Sequence, residues 1–121
     1  MKKLVLFGAG QQGENLYGFL EYYHYEGLVY AFCDNNPNKW GGNLFGKDII
    51  SDGELRNLED AVCLICVSNQ YKDEIERQLK QENIFYYGDI IDCFSIEFGI
   101  EKSQFENLYY SYFNRKKGLK I

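Results

Sequence analysis

Short apolar runs alternate with helical periods along this chain. Leu4 to Phe7 is an apolar run that ends in the cluster Gly8-Ala9-Gly10-Gln11-Gln12-Gly13. Leu16, Phe19, Leu20 and Tyr23 then recur at the i, i+3, i+4, i+7 spacing of one helix face. Gly27 is expected to close that helix, and Leu28 to Cys33 reads as a second strand ending at Asp34. The stretch from Asn35 to Gly42 is rich in turn formers, which argues against regular structure there. A short apolar stretch from Asp48 to Ile50 precedes Ser51-x-x-Glu54, a capping box that opens a brief helix through Leu55 and Leu58. The strongest strand, Ala61 to Val67, follows. Ser68 or Asn69 then caps a helix whose core positions are Tyr71, Ile75 and Leu79. Ile84 to Tyr87 forms a fifth apolar run, stopped by Gly88. Phe105, Leu108, Tyr109, Tyr112 and Phe113 mark a last amphipathic helix.

The resulting order, β-α-β-(β-α)-β-α-β-α with strands that do not alternate in polarity, is that of a parallel sheet buried on both faces. Right-handed crossovers make this a doubly wound, three-layer α/β/α sheet of about five strands. With 121 residues the chain is expected to be one domain over 1–121, its core at 3–90 and a Tyr-rich tail and helix at 91–121.

Composition narrows the function classes. The net charge is −5 with the acidic residues dispersed, which argues against a nucleic-acid-binding face. The one basic run, Arg115-Lys116-Lys117, reads as a solvated helix end. No apolar run is long enough to cross a bilayer, and Met1-Lys2-Lys3 is not followed by the apolar stretch of a signal peptide, so a soluble, cytoplasmic protein is expected. Eleven Tyr and nine Phe suggest that part of the aromatic set meets a partner, in a homo-oligomer or with a catalytic partner domain. Cys63-x-x-Cys66 lies in an expected strand, where residues three apart face opposite ways, so core cysteines and no metal are the reading for Cys33, Cys63, Cys66 and Cys93.

The chemistry lies in the glycine cluster, which fits G-x-G-x-x-G with a strand before it, a helix after it and an acidic residue ending the next strand. Gly8 would turn the chain, Gly10 would let the backbone approach a phosphate, and Gly13 would let the helix pack on the sheet. Amides at the helix N-terminus favour a diphosphate. Gln11 and Gln12 either touch that phosphate or face water. Asp34, 21 positions after Gly13, is placed to accept hydrogen bonds from a ribose diol, with Asn35 beside it. A 2′-phosphate would be repelled there, since Lys39 is the only cation near in sequence, so NAD or a UDP-sugar is favoured over NADP. Ser68 and Asn69 end the fourth run, across the switch in strand order where ligands bind, although a plain helix cap explains them equally well.

Equally informative is what is missing. There is no P-loop and no Gly-x-Ser-x-Gly elbow. Tyr112-x-x-x-Lys116 has the spacing of a dehydrogenase pair, but in so Tyr-rich a chain about one such spacing arises by chance. His24 reads as a surface histidine. No acid, base or nucleophile set stands out, and a G-x-G-x-G methyltransferase loop would need glycine where Gln12 stands.

Val5-Leu-Phe-Gly-Ala-Gly-Gln-Gln-Gly13, Phe32-Cys-Asp-Asn-Asn-Pro-Asn-Lys-Trp-Gly41, Gly46-Lys-Asp-Ile-Ile50 and Ile65-Cys-Val-Ser-Asn69 together resemble a small Rossmann-like module of bacterial sugar metabolism. Over residues 3 to 90 the chain is similar to the N-terminal domain of nucleotide-sugar acetyltransferases. It is also similar to the nucleotide-binding part of polysaccharide-biosynthesis epimerases and dehydratases, and to domains fused to glycosyltransferases and methyltransferases. The first resemblance implies a UDP-sugar at the glycine loop, Asp34 and Asn69; the second implies NAD at the same loop. Such a module is part of a larger enzyme or a stand-alone binding protein, because the partner domain that carries catalysis in these relatives has no counterpart in the sequence. An oxidoreductase or epimerase completed by another chain, and an interaction protein with a vestigial pocket, are the alternatives.

Overall fold

The computed structural model describes residues 1–118, with side chains through Lys116. The chain divides into two compact units, Met1–Gly88 and Asp89–Ile121.

The first unit is built on β1 (Lys3–Phe7), α1 (Gln11–Tyr22), β2 (Val29–Cys33), β3 (Asn43–Leu44), β4 (Lys47–Ile50), α2 (Asp52–Asn57), β5 (Ala61–Ile65), α3 (Asn69–Gln81) and β6 (Tyr86–Tyr87). These strands form one six-stranded sheet of order β3-β4-β2-β1-β5-β6. All neighbours are parallel except β3 and β4, which make an antiparallel edge hairpin. The expected doubly wound α/β sheet is therefore present, with one strand more than the apolar runs indicate. The extra strand is a two-residue edge piece with no apolar run to announce it. Another departure is a single 3₁₀ turn over Pro37–Lys39, started by the Asn36 side chain accepting from Asn38 N–H at 3.0 Å.

Central strand β1 explains why its sequence does not alternate. Val5 and Phe7 lie in one cluster with Ala31, Cys33, Ile50, Cys63, Ile65, Leu55, Ile75 and Leu79. Leu4 and Leu6 are equally buried on the opposite face, where Leu6 pairs in register with Phe32 and Leu64. On that face Tyr17 of α1 packs on Phe32, ring centroids 5.9 Å apart. Leu16, expected on the buried side of α1, is half-buried, and Tyr17 takes the core position.

Helix ends differ from expectation in instructive ways. α1 stops at Tyr22 and not at Gly27. His24 takes a left-handed φ of 63°, and the bonds His24 N–H to Glu21 O and Tyr25 N–H to Leu20 O close a Schellman motif. Asn83 does the same after α3, with φ 57°. The capping box at Ser51 forms as expected: its hydroxyl accepts from Glu54 N–H at 3.1 Å.

The second unit is a helix pair, α4 (Ile90–Phe98) and α5 (Lys102–Gly118). α4 is absent from the sequence reading, although its signals are present: Asp89 caps it by accepting from Ile91 N–H at 2.8 Å, and Gly99 ends it at φ 66°. Phe94 and Phe105 stack at 4.7 Å and are both fully buried. Lys116 Nζ lies 5.6 Å from the centre of the Tyr112 ring, a cation–π contact. Arg115 and Lys116 are exposed, while the Lys117 side chain lies outside the described residues. Among the described residues no helix is long and apolar enough to cross a membrane.

Candidate functional site

Strand order places the site. The chain leaves β1 through α1 to reach β2 on one side, and returns from β4 through α2 to β5 on the other side. The crevice at the carboxyl ends of β1, β2 and β5 is thus the switch point, where sheets of this class bind ligands. A cavity of about 600 Å³ opens there, bordered by Gly8, Gly10, Gln11, Gln12, Asp34 and Ser68 among others. This is within the range of small-molecule sites.

Two of the three glycines of the loop are required by the chain itself. Gly8 has φ 130°, and a Cβ on it would lie 2.4 Å from Cys66 O. At Gly13 a Cβ would lie 2.0 Å from Gly8 O and 3.5 Å from the Phe32 ring, so its absence lets α1 seat against the strand. Gly10 is the exception. It has an extended φ of −107°, open to any residue, and a Cβ there would meet nothing within 4 Å. Neither conformation nor packing within the chain requires glycine at that point.

Gly10 is also the N-cap of α1, which has no capping side chain. The first amides of α1 therefore have no acceptor within the helix and carry its positive end. Gln11 and Gln12 are exposed beside the cavity; Gln11 Nε2 donates to Asn15 Oδ1 at 2.9 Å.

Asp34 is tied into the loop more firmly than spacing suggests. Its Oδ2 accepts from Ala9 N–H at 2.9 Å and its Oδ1 from Asn36 N–H at 2.8 Å. Lys39 Nζ donates to Ala9 O at 3.1 Å and lies 3.8 Å from Asp34 Oδ2. The Trp40 indole N–H donates to Asp34 O at 2.6 Å. The carboxylate thus clamps the glycine loop to the turn after β2, and keeps further acceptor capacity on each oxygen. Lys39, near in sequence, proves to be near in space as well.

Asn35 lines the rim, its amide locked in a reciprocal pair with Gln78: Asn35 Nδ2 to Gln78 Oε1 at 2.7 Å and Gln78 Nε2 to Asn35 Oδ1 at 2.9 Å. Ser68 precedes α3 without bonding to its amides, which leaves the hydroxyl uncommitted to the helix. Asn69 is exposed and outside the cavity lining, and Gly13 lies beneath the loop. Tyr71 borders the cavity at 52% exposure and is not a core residue: it lies in the first turn of α3, which lines the cavity. With Glu74 and Ile75 it forms a wall that sequence reading missed; the signal was the i, i+4 spacing of Tyr71 and Ile75 on the turn after the fourth run. None of the described residues lining the cavity is Lys or Arg, so an anion there would rest on loop amides and the helix dipole.

His24 is exposed after α1. All four cysteines are buried thiols outside any disulfide, and burial pushes the Cys33 thiol well above its usual range. Among the described residues no three His, Cys, Asp or Glu side chains are grouped to hold a metal ion.

Comparison with known proteins bears on fold and family. The family described as C2185-like, N-terminal, matches residues 1–88. No curated protein matches the chain. Among solved structures, RSP, a Rex-family repressor, is similar at 13% identity and TM-score 0.52, over 74% of this chain and 47% of that one. RSP in complex with β-NADH matches at 13% identity and TM-score 0.50, with the same coverage. UDP-D-quinovosamine 4-dehydrogenase from Vibrio fischeri is similar at 22% identity and TM-score 0.53, over 75% of this chain and 81% of that one. The chain spans about half the length of the repressor it matches.

Proposed function

The chain belongs to the C2185-like, N-terminal family, and we propose that it is a nucleotide-binding module whose ligand is NAD or a UDP-sugar. The observation that carries this is Gly10: a glycine with ordinary backbone angles and empty space where its side chain would be, at the uncapped end of α1 and on the wall of the switch-point cavity. The fold does not need that space; a diphosphate on the α1 amides does. Asp34, with acceptor capacity left over from its two backbone bonds, receives a ribose diol, and Ser68 and Asn35 supply polar contacts at the rim. RSP, solved with β-NADH, and a dehydrogenase acting on a UDP-sugar share this fold, which favours the same two ligand classes.

We place the module in bacterial sugar or surface-polysaccharide metabolism, on the resemblance of its loop and Asp-Asn-Asn-Pro segments, as part of a larger enzyme or beside a catalytic partner. The described residues that line the cavity include no histidine, lysine or arginine, which supports binding rather than catalysis by these residues alone.

A thermal-shift panel with NAD, NADP, UDP, UDP-sugars and S-adenosylmethionine tests the reading. A ligand at a hundred times its Kd stabilises by about 2.7 kcal/mol, which is about 10 °C or more for a domain of this size. Stabilisation by NAD or a UDP-sugar that disappears in Gly10→Asp supports it. Absence of any shift across the panel refutes it.

A further inference from the structure

Behind the rim residue Asn35 lies a polar chain that runs away from the cavity. Gln78 pairs with Asn35 through both amide atoms, and its Nε2 also reaches Asp52 Oδ2 at 3.4 Å. Both hydrogens of that nitrogen are thereby used. Gln78 and Glu82 share a face of α3 at i, i+4 spacing, as Asp52 and Arg56 do on α2. Arg56 Nη1 closes the ladder, 3.8 Å from Glu82 Oε1. The second oxygen of Glu82 is buried and has no hydrogen-bond partner.

A buried carboxylate oxygen without a donor is costly, and the side chain that Glu82 meets is another carboxyl, Asp52. One proton held between Asp52 and Glu82 removes the cost. It gives Glu82 a hydrogen bond, leaves one negative charge on the pair, and lets Asp52 accept from Gln78. The titration directions agree: the Asp52 bond pushes Glu82 up, and the Glu82 bond pulls Asp52 down. The other groups that face the pair are Gln78 from α3, Arg56 from α2, and Cys33 from β2, whose buried thiol stays protonated.

We propose that Asn35 is held at the cavity rim by the proton shared between Asp52 and Glu82, so that ligand binding weakens when this proton leaves. Loss of the proton leaves two charged carboxylates competing for donors. Arg56 is half exposed and 3.8 Å away, whereas Gln78 Nε2 is a neutral donor already in contact. Gln78 turns its second hydrogen from Asn35 Oδ1 to the carboxylates, and Asn35 loses its reciprocal partner. The effect on binding rests on the nucleotide reading above; the coupling from Glu82 to Asn35 does not.

The experiment separates the two. In labelled full-length chain without ligand, the Glu82 side-chain carboxyl and the Asn35 side-chain amide are followed by NMR from about pH 4 to about pH 8. Both are expected to move with one midpoint, above that of an ordinary glutamate. With NAD and UDP-glucose as probes, both charged throughout this interval, Kd is expected to rise about threefold or more across the same midpoint, the effect of one lost neutral hydrogen bond. Glu82→Gln, which donates to Asp52 with no proton to lose, should abolish both the Asn35 titration and the pH dependence of Kd. Asp52→Asn serves if that variant fails to fold, and should return Glu82 to an ordinary midpoint. An Asn35 amide that stays still while Glu82 titrates overturns the coupling, as does a Kd whose pH dependence survives in Glu82→Gln. If neither probe binds at any pH, the nucleotide reading has failed, and the Asn35 titration in the free protein still decides the coupling.

Discussion

Replacing Gly13 and Gly10 separately by alanine tests the different roles assigned to the two glycines. At Gly13 the new methyl group would sit 2.0 Å from Gly8 O, about 1 Å inside the closest approach a Cβ tolerates, and 3.1 Å from Gly8 C. The obstacle is backbone at the start of the loop, so no rotamer change relieves it, and α1 must move off the strand or the Gly8 turn must open. Overpacking of this kind costs about 3 kcal/mol, and the better helix propensity of alanine returns about 1 kcal/mol. A net loss of about 2 kcal/mol lowers Tm by about 10 °C in a domain of this size. Gly10→Ala meets nothing within 4 Å and keeps an allowed φ, so its cost is that of a poorer N-cap, about 0.5 kcal/mol. Urea titration of both variants beside the parent gives the two values directly, and the same samples can be titrated with nucleotide using Trp40, the only tryptophan and a hydrogen-bond partner of Asp34, as the fluorophore. Equal stability of Gly13→Ala and the parent, or equal losses in both variants, would refute the division of roles.

Four further outcomes are expected. Asp34→Asn keeps the side chain's shape but cannot accept from both Ala9 and Asn36 amides, and should lose about 2 kcal/mol in denaturant unfolding. Ser51→Ala removes the capping box and should cost about 1 kcal/mol in the same assay, with no effect on ligand affinity. Because Glu82 is raised in the folded state, the fold holds a proton that the unfolded chain gives up near its ordinary value of 4.5, so stability falls as pH rises from there through the raised value. Asp52, lowered, adds stability above its ordinary 3.8 that is lost on acidification, and pH-dependent unfolding of Glu82→Gln should lack the alkaline-side decline. Cys33, its thiol pushed up by burial, should resist iodoacetamide at neutral pH in the native protein and react once urea unfolds it; native labelling would contradict the packing of β2.

Local pattern alone sets the layers, the direction of the chain through them and the uncapped N-terminus of α1. Those properties depend on local patterns: non-alternating strands demand cover on both faces, and G-x-G-x-x-G between a strand and a helix leaves uncapped amides at one point. The Ser51 capping box was legible for the same reason, since its partners lie within one turn. Helix α4 was also encoded locally, by Asp89 and Gly99, but its apolar stretch has no single polar face and so reads poorly as a period.

Tertiary structure decided the rest. Spacing put Asp34 near the loop, yet only the register of β1 against β2 set its Oδ2 on the Ala9 amide and brought Lys39 and Trp40 around it. The cavity wall of Tyr71, Glu74 and Ile75 comes from the first turns of α3, which only the folded chain sets beside the glycine loop. The distinction among Gly8, Gly10 and Gly13 is invisible in a string of identical letters, because it is set by which atoms occupy the space each missing side chain would fill. The pairings of Asn35 with Gln78 and of Asp52 with Glu82 join residues tens of positions apart. Side-chain hydrogen bonds between distant residues leave no periodic trace in a sequence; only the packing of α2 and α3 on one sheet face brings their donors and acceptors within reach.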